Sequence, residues 1–342
     1  MKKVFYIMMT MSLAAVMTGC GEKEQKFNYL LDEFADLKIM RYQIPGWDEL
    51  SLQQKEYAYH LAEAAKWGRD IIWDQNSEHN IELRHTIENI LENYEGDKSS
   101  DEYQKFLVYA KRVFFANGIH HHYAEDKFFP ECSQEYFKSL MQAVGDADKC
   151  DLLIPYIYSK DNYKQRRANA TTGDIVVESS VNYYDGVNRE EVEAYYASIF
   201  EKDNETPISY GLNTKVVKDE NGNVKELAWY KGGIYGNAIA KICEELAAAA
   251  KVAENDIQKR ALNLLIKYYE TGDLKLWDEF NIEWVKDTLG TVDFINGFVE
   301  DYNDPLGRKG AWEGYVHIKD HAASVRTEVL SANAQWFEDN SP

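Results

Sequence analysis

Apolar residues recur along this chain with two different periods. Up to about residue 200 the helical period dominates. Tyr57, Leu61, Ala64, Ala65, Ile71 and Ile72 form one stripe, which predicts a helix over 52–74 that starts at Ser51. Amphipathic helices are expected over 81–94 and 101–116, separated by the polar turn Glu95-Gly96-Asp97-Lys98, then from Ser133 to about Val144 and from Asn188 through Phe200. Residues 27–34 also carry helical spacing, while Leu37, Ile39 and Arg41 alternate as a short strand running into Pro45-Gly46. From Leu212 the period shortens. Residues 214–218 and 224–230 flank Glu220-Asn221-Gly222-Asn223, a hairpin signal because asparagine and glycine tolerate positive φ. Helices are expected again over 235–253, 254–271 and 274–287, and from Asp320 to about Phe337.

The stretch from Asp293 to Lys319 organises the rest. Phe294, Asn296, Phe298, Glu300 and Tyr302 share one face of a strand, and Ile295, Gly297 and Val299 the other. Asn303-Asp304-Pro305-Leu306-Gly307 is turn chemistry, after which residues 310–316 re-enter a strand. A carboxylate and a phenol then project together beside a loop, a place to hold an ammonium and a polarised carbonyl. Roughly nine helices and five strands imply an α+β fold, mostly α, with helices around a small five-stranded antiparallel sheet or barrel.

Residues 1–19 read as an address. Lys2-Lys3 precede an apolar run over 4–17, too short to span a bilayer, and Thr18-Gly19-Cys20 suits lipoprotein cleavage. Cys20 would become the lipidated terminus and 20–26 a polar tether, making an exported protein anchored to a membrane on the periplasmic side or at the cell surface. The 58 acidic residues against 38 basic ones give a net charge of −20, which repels phosphate backbones and argues against nucleic acid as a partner. The same charge favours cationic peptides. Cys132, Cys150 and Cys243 are too few and too odd for a disulfide framework, and three buried thiols are expected.

Other chemistry is thin. On an extended segment only His120 and His122 of the run His120-His121-His122 would face together, so a structural loop is expected there, its rings capping backbone groups or packing on Tyr123 and Phe128. Cys132 carries no nucleophile signature around it. So many carboxylates make some acid pair inevitable, which deprives such pairs of meaning. Glu300 and Tyr302 remain, with Glu313 on the neighbouring strand as a weaker candidate.

Gly297-Phe298-Val299-Glu300-x-Tyr302-x-Asp304-Pro305-x-Gly307, followed by Trp312-Glu313-Gly314-Tyr315-Val316, resembles the dipeptidyl peptidase III family, zinc-dependent exopeptidases that release dipeptides from peptide N-termini. Leu50-Ser51 with Tyr57, Leu61, Ala64 and Gly68-Arg69-Asp70-Ile71-Ile72-Trp73-Asp74-Gln75 is similar to bacterial members, as is Asn117-Gly118-Ile119-His120-His121-His122-Tyr123. The resemblance implies that residues 27–318 are a lower, substrate-binding lobe built around a five-stranded barrel, and that 319–342 begin an incomplete upper lobe. It implies short peptides as partners. Along the strand edge a peptide gains main-chain hydrogen bonds, Glu300 pairs with its α-ammonium, and Tyr302, the expected catalytic residue, donates to the carbonyl oxygen. The family holds zinc through His-Glu-x-x-Gly-His and a later acidic segment, but none of the eight histidines here precedes a glutamate, and Cys243-Glu244-Glu245-Leu246 is no substitute. The expectation is an N-terminal portion that binds no zinc itself, lacks the upper lobe and is inactive alone. The alternative is a membrane-anchored, non-catalytic peptide-binding lipoprotein.

Overall fold

A computed structural model describes residues 27–161, 163–169, 173–201 and 204–341. The expected leader over 1–19 and the expected tether over 20–26, with Cys20, lie outside the described residues. Two compact units divide between Gln43 and Ile44. The described part of the first is a hairpin of β1 (Leu30–Phe34) and β2 (Leu37–Met40), antiparallel, with Phe34 opposite Leu37. The helix expected over 27–34 is therefore a strand. Ala35 takes a φ of 49° and turns the chain back within two residues, and over so short an apolar run the periodicity alone does not separate helix from strand.

The second unit begins with α1 (Leu52–Trp67), α2 (Arg69–Asn76), α3 (Asn80–Asn93), α4 (Asp101–Ala116), α5 (Gln134–Ala143) and α6 (Cys150–Tyr158). Next come α7 (Ile175–Glu178), β3 (Tyr184–Asp185), α8 (Arg189–Ile199), β4 (Thr214–Lys218) and β5 (Val224–Ala228). It closes with α9 (Gly236–Ala249), α10 (Asp256–Thr271), α11 (Leu274–Trp284), β6 (Val292–Phe298), β7 (Trp312–Ile318), α12 (His321–Ala332) and α13 (Ala334–Asp339). Local signals explain the starts of several helices. Ser51 and Gln54 form a reciprocal capping box at α1, Asn188 and Glu191 do the same at α8, and Ser133 Oγ accepts from the Tyr136 N–H at α5. Each such cap contributes about 1 kcal/mol.

The helix expected over 52–74 is broken at Gly68. The Trp312 indole lies against the Gly68 backbone, where an added Cβ would sit 2.0 Å from a ring carbon. Two apolar cores flank that joint. Trp73, Leu83, Ile87, Phe106, Val113, Phe137 and Leu153 make one inside α2–α6. Tyr57, Leu61, Ile71, Trp229, Leu262, Tyr268, Trp277, Phe298 and Trp312 belong to the other, between α1, α9–α11 and the late strands.

The fold is mostly helical α+β, as expected, but no five-stranded antiparallel sheet or barrel forms among the described residues. The strands make sheets of two, three and two, with β3 parallel to β4, β4 antiparallel to β5, and β6 antiparallel to β7. Instead of a ladder between β5 and β6, Phe298 stacks on Trp229 with ring centroids 5.3 Å apart. One backbone bond, from the Gly310 N–H to the Leu212 carbonyl, ties the two sheets. Cys132, Cys150 and Cys243 are free and buried. No described helix is long and apolar enough to cross a membrane. In α12 and α13 no residue is buried, and Val325, Val329, Leu330, Trp336 and Phe337 stand exposed.

Candidate functional site

The ladder of β6 and β7 pairs Gly297 with Glu313 and Phe298 with Trp312. The strand ends at Phe298, four residues earlier than its alternation through Tyr302 suggested, but the backbone pairing runs on. Val299 N–H donates to the Ala311 carbonyl at 3.0 Å, and Ala311 N–H donates to the Glu300 carbonyl at 2.8 Å. Phe294, Asn296 and Phe298 are buried, whereas Glu300 and Tyr302 lie beyond the strand and are exposed, Tyr302 by 58%. The two therefore do not continue the buried face of β6. They cap its end.

Three anchors hold this end of the hairpin. Gln75, fully buried on α2, brackets the chain opposite Glu300: its Nε2 donates to the Gly310 carbonyl at 3.0 Å and its Oε1 accepts from Trp312 N–H at 2.9 Å. Asp304, 2% exposed, gathers the turn, with its carboxylate accepting from the N–H groups of Leu306, Arg308 and Lys309 and from Tyr184 OH at 2.8 Å. Burial raises its pKa, and those donors pull it back down. The third anchor is Lys309, fully buried, whose ammonium donates to Tyr196 OH and to Thr214 Oγ1 at 2.8 Å and lies 3.7 Å from Glu226. Tyr196 and Thr214 in turn donate to that same Glu226 oxygen at 2.6 Å. Burial pushes Lys309 down to about 8, against the pull of Glu226 and Asp304.

On this frame the side chains converge electrostatically. The Tyr302 phenol is held above its usual pKa by partial burial and by the charges of Glu313 and Glu300, so it is a proton donor at neutral pH. Glu313 is raised by burial and then by Glu300. Tyr315 feels both carboxylates as well. Two acids and two phenols thus share one partly exposed rim, which suits a cationic group with a carbonyl beside it.

A second stretch meets this rim. Arg167 Nη1 donates to the Tyr302 carbonyl, and the neighbouring Arg166 is buried, paired with Glu125 at 3.2 Å and donating to the His122 carbonyl. The histidine run is structural there. His120 Nε2 donates to the Lys164 carbonyl at 2.9 Å, and His121 Nδ1 accepts from the N–H groups of Tyr123 and Ala124. Cys132 lies 3.4 Å from Tyr158 OH, and burial raises its thiol pKa, which is unlike an activated nucleophile. Among the described residues no group of three or more His, Cys, Asp or Glu side chains is placed to hold a metal ion.

Sequence reasoning missed Gln75 as a clamp, the buried Lys309 and the arginine pair. Asp304 carried a signal, since an acid just before Pro-x-Gly forms side-chain bonds to the turn that follows.

Comparisons with known proteins agree with this architecture. The model of peptidase family M49 matches residues 172–342. Dipeptidyl peptidase 3 of Dictyostelium discoideum is 25% identical over 323 residues, covering 86% of this chain and 45% of that protein. Dipeptidyl peptidase 3 of Homo sapiens is 24% identical over 334 residues, with the same shares. Among solved structures, DPP III from Caldithrix abyssi superposes with a TM-score of 0.58 at 17% identity, over 86% of this chain and 45% of its own. Dipeptidyl-peptidase III from Corallococcus sp. strain EGB gives 0.56 at 16%, over 87% and 44%. The chain spans about half the length of the curated relatives it matches.

Proposed function

The chain belongs to peptidase family M49, and from that membership we propose that it is the N-terminal, substrate-binding portion of a zinc-dependent dipeptidyl peptidase, which removes dipeptides from peptide N-termini. The observation that carries this reading is the exposed end of the β6–β7 ladder, where Glu300 and Tyr302 stand clear of the buried strand face and Glu313 sits on the paired strand. An extended peptide laid along that edge presents its α-ammonium to Glu300, with Glu313 adding to the negative field. Tyr302 then donates to a carbonyl oxygen near the bond to be cut, a contact that strengthens as charge grows on that oxygen. The distance from ammonium to carbonyl measures the product as a dipeptide.

Zinc would polarise that carbonyl and activate water in the family's chemistry. The described residues do not fit such a centre. No histidine is followed by glutamate, and no suitable donor cluster forms among the described residues. No step through the metal is assigned to these side chains, and we expect the polypeptide to bind peptides without cutting them.

Calorimetry with a free-amine tetrapeptide tests the reading. Binding should weaken at least about tenfold in Glu300→Ala and on N-acetylation of the peptide, as for loss of a charge-assisted hydrogen bond. Equal binding by both proteins and by both peptides would sink it. In the same preparation a zinc-supplemented assay on an arginine-containing dipeptidyl amide should show no turnover; hydrolysis abolished by a chelator would contradict the inactivity.

A further inference from the structure

A cavity of about 450 Å³ opens beside the turn that follows Tyr302, with Glu125, Gln165, Arg167 and Pro305 in its wall. The backbone that carries Arg167 is tied on both sides. The Arg166 carbonyl accepts from the N–H groups of Ser180 and Val181, both at 3.1 Å, and Ala168 N–H donates to Ser179 Oγ at 2.9 Å. Glu125 sits at a φ of 67°, a strained setting for a residue with a Cβ, and its carbonyl accepts from Arg166 N–H at 3.0 Å. The guanidinium of Arg167 therefore leaves a fixed point.

The charges in this wall do not cancel. Both Glu125 carboxylate oxygens are taken: Arg166 donates to them from Nη2 at 3.2 Å and from Nε at 3.3 Å, and Arg167 N–H donates to Oε2 at 3.0 Å. What remains is the Arg167 side chain, which is exposed and donates from Nη1 to the Tyr302 carbonyl. Among the described residues no carboxylate lies within 4.0 Å of it, and its Nε and Nη2 have no hydrogen-bond partner. A guanidinium presents five donors in a planar fork, a shape that matches a carboxylate through two parallel bonds. With 58 acidic residues in the chain, acids are plentiful, yet none is set against this fork.

On the peptide-binding reading above, on which this rests, we propose that Arg167 is a specificity-determining residue: it receives a carboxylate of the same peptide whose α-ammonium Glu300 holds, supplied by the free C-terminus or by an acidic side chain at the third position. Residues 300 and 302 lie at most about 7 Å apart along the backbone, so one short peptide can occupy both stations. The cavity has the volume of a small ligand pocket and takes the residue that bears the carboxylate. Opposite charges at the two stations also fix the direction of the peptide, since the reverse orientation sets its carboxylate against Glu300 and Glu313 and its ammonium against Arg167.

Calorimetry on the full chain tests this with free-amine peptides in two pairs: tetra-alanine against its C-terminal amide, and Ala-Ala-Asp-Ala amide against Ala-Ala-Asn-Ala amide. In the parent protein the acid of at least one pair should bind about tenfold or more tightly than its neutral counterpart, and the pair that differs identifies the source of the carboxylate. Arg167→Met should bring the two members of that pair to the same affinity by weakening the acid, and Arg167→Lys should keep part of the preference. Equal affinity within both pairs overturns the proposal; amides that still lose binding on N-acetylation would then leave the role of Glu300 standing. Binding by none of the four peptides sinks the two together. Equal weakening of acid and amide in Arg167→Met would make the guanidinium a prop for the Tyr302 backbone alone, which also overturns the proposal. The comparison within each pair in the parent protein stands even where a variant fails to fold.

Discussion

Lys309 and Lys127 are both buried lysines, both pushed to about 8 by burial, and their surroundings differ completely. Around Lys309 the protein supplies a phenol, a hydroxyl and a carboxylate, and the ammonium fastens the turn that carries Tyr302 to β4 and β5. Around Lys127 it supplies one carbonyl and the faces of Phe129 and Tyr163, with no carboxylate within 4.0 Å among the described residues. The same depressed basicity therefore accompanies a fully tied ammonium in one place and a sparsely paired one in the other. What separates the two is the count of satisfied donors, since desolvation acts on both alike.

The largest effect that would break this contrast is on stability. Lys309→Met removes a cation from a buried cluster and leaves Glu226 without it, so denaturant unfolding should show a loss of about 3 kcal/mol. A variant as stable as the parent would mean that the cluster ties nothing down. The next effect is on pH. Both lysines bind protons more weakly folded than unfolded, between about 8 and the ordinary 10.5. In that window the unfolded chain holds more protons, so stability rises with pH until tyrosine ionisation in the unfolded chain opposes it. Lys309→Met and Lys127→Met should each flatten this rise in melting temperature. On the acid side His120, held neutral down to about 4 against an ordinary 6.5, predicts stability falling as pH drops from 6.5 towards 4. His120→Phe should reduce that slope, and an unchanged slope would mean the ring is not buried. The smallest effect is expected for Lys127→Met near neutral pH. Exchanging an unpaired buried ammonium for an apolar chain of similar shape should change stability by about 1 kcal/mol or less, in either direction.

Local features were legible in the sequence. Ser51 with Gln54, Asn188 with Glu191, and the stripe over 101–116 specify helix ends and faces from a few adjacent residues. The turn over 303–307 announced itself through Pro305 and Gly307. What escaped depends on distant partners. Pro155 and an unbroken apolar run hid α6, because a buried helix has no polar face to reveal its period. The break at Gly68 needs Trp312, and the end of β6 needs Ala311. Glu300 and Tyr302 stood out in sequence beside a loop, and their exposure follows from the strand's termination, which alternation did not show. Lys309 looked like an ordinary basic residue after a turn. Nothing near it in sequence told of Tyr196, Thr214 or Glu226.

The Gln75 side-chain amide bonds backbone groups 235 and 237 positions further along the chain. While the protein is being synthesised, α2 leaves the ribosome with that amide unanswered and with the Gly68 surface bare. At ordinary elongation rates the wait before Gly310 and Trp312 emerge is on the order of tens of seconds. During that interval the early helices can consolidate around Trp73 and Phe106, but the seam beside α1 stays open to solvent and to chaperones. Docking of the last hairpin would then be a late event in biogenesis, and the rim that presents Glu300 would be among the final surfaces to acquire its shape.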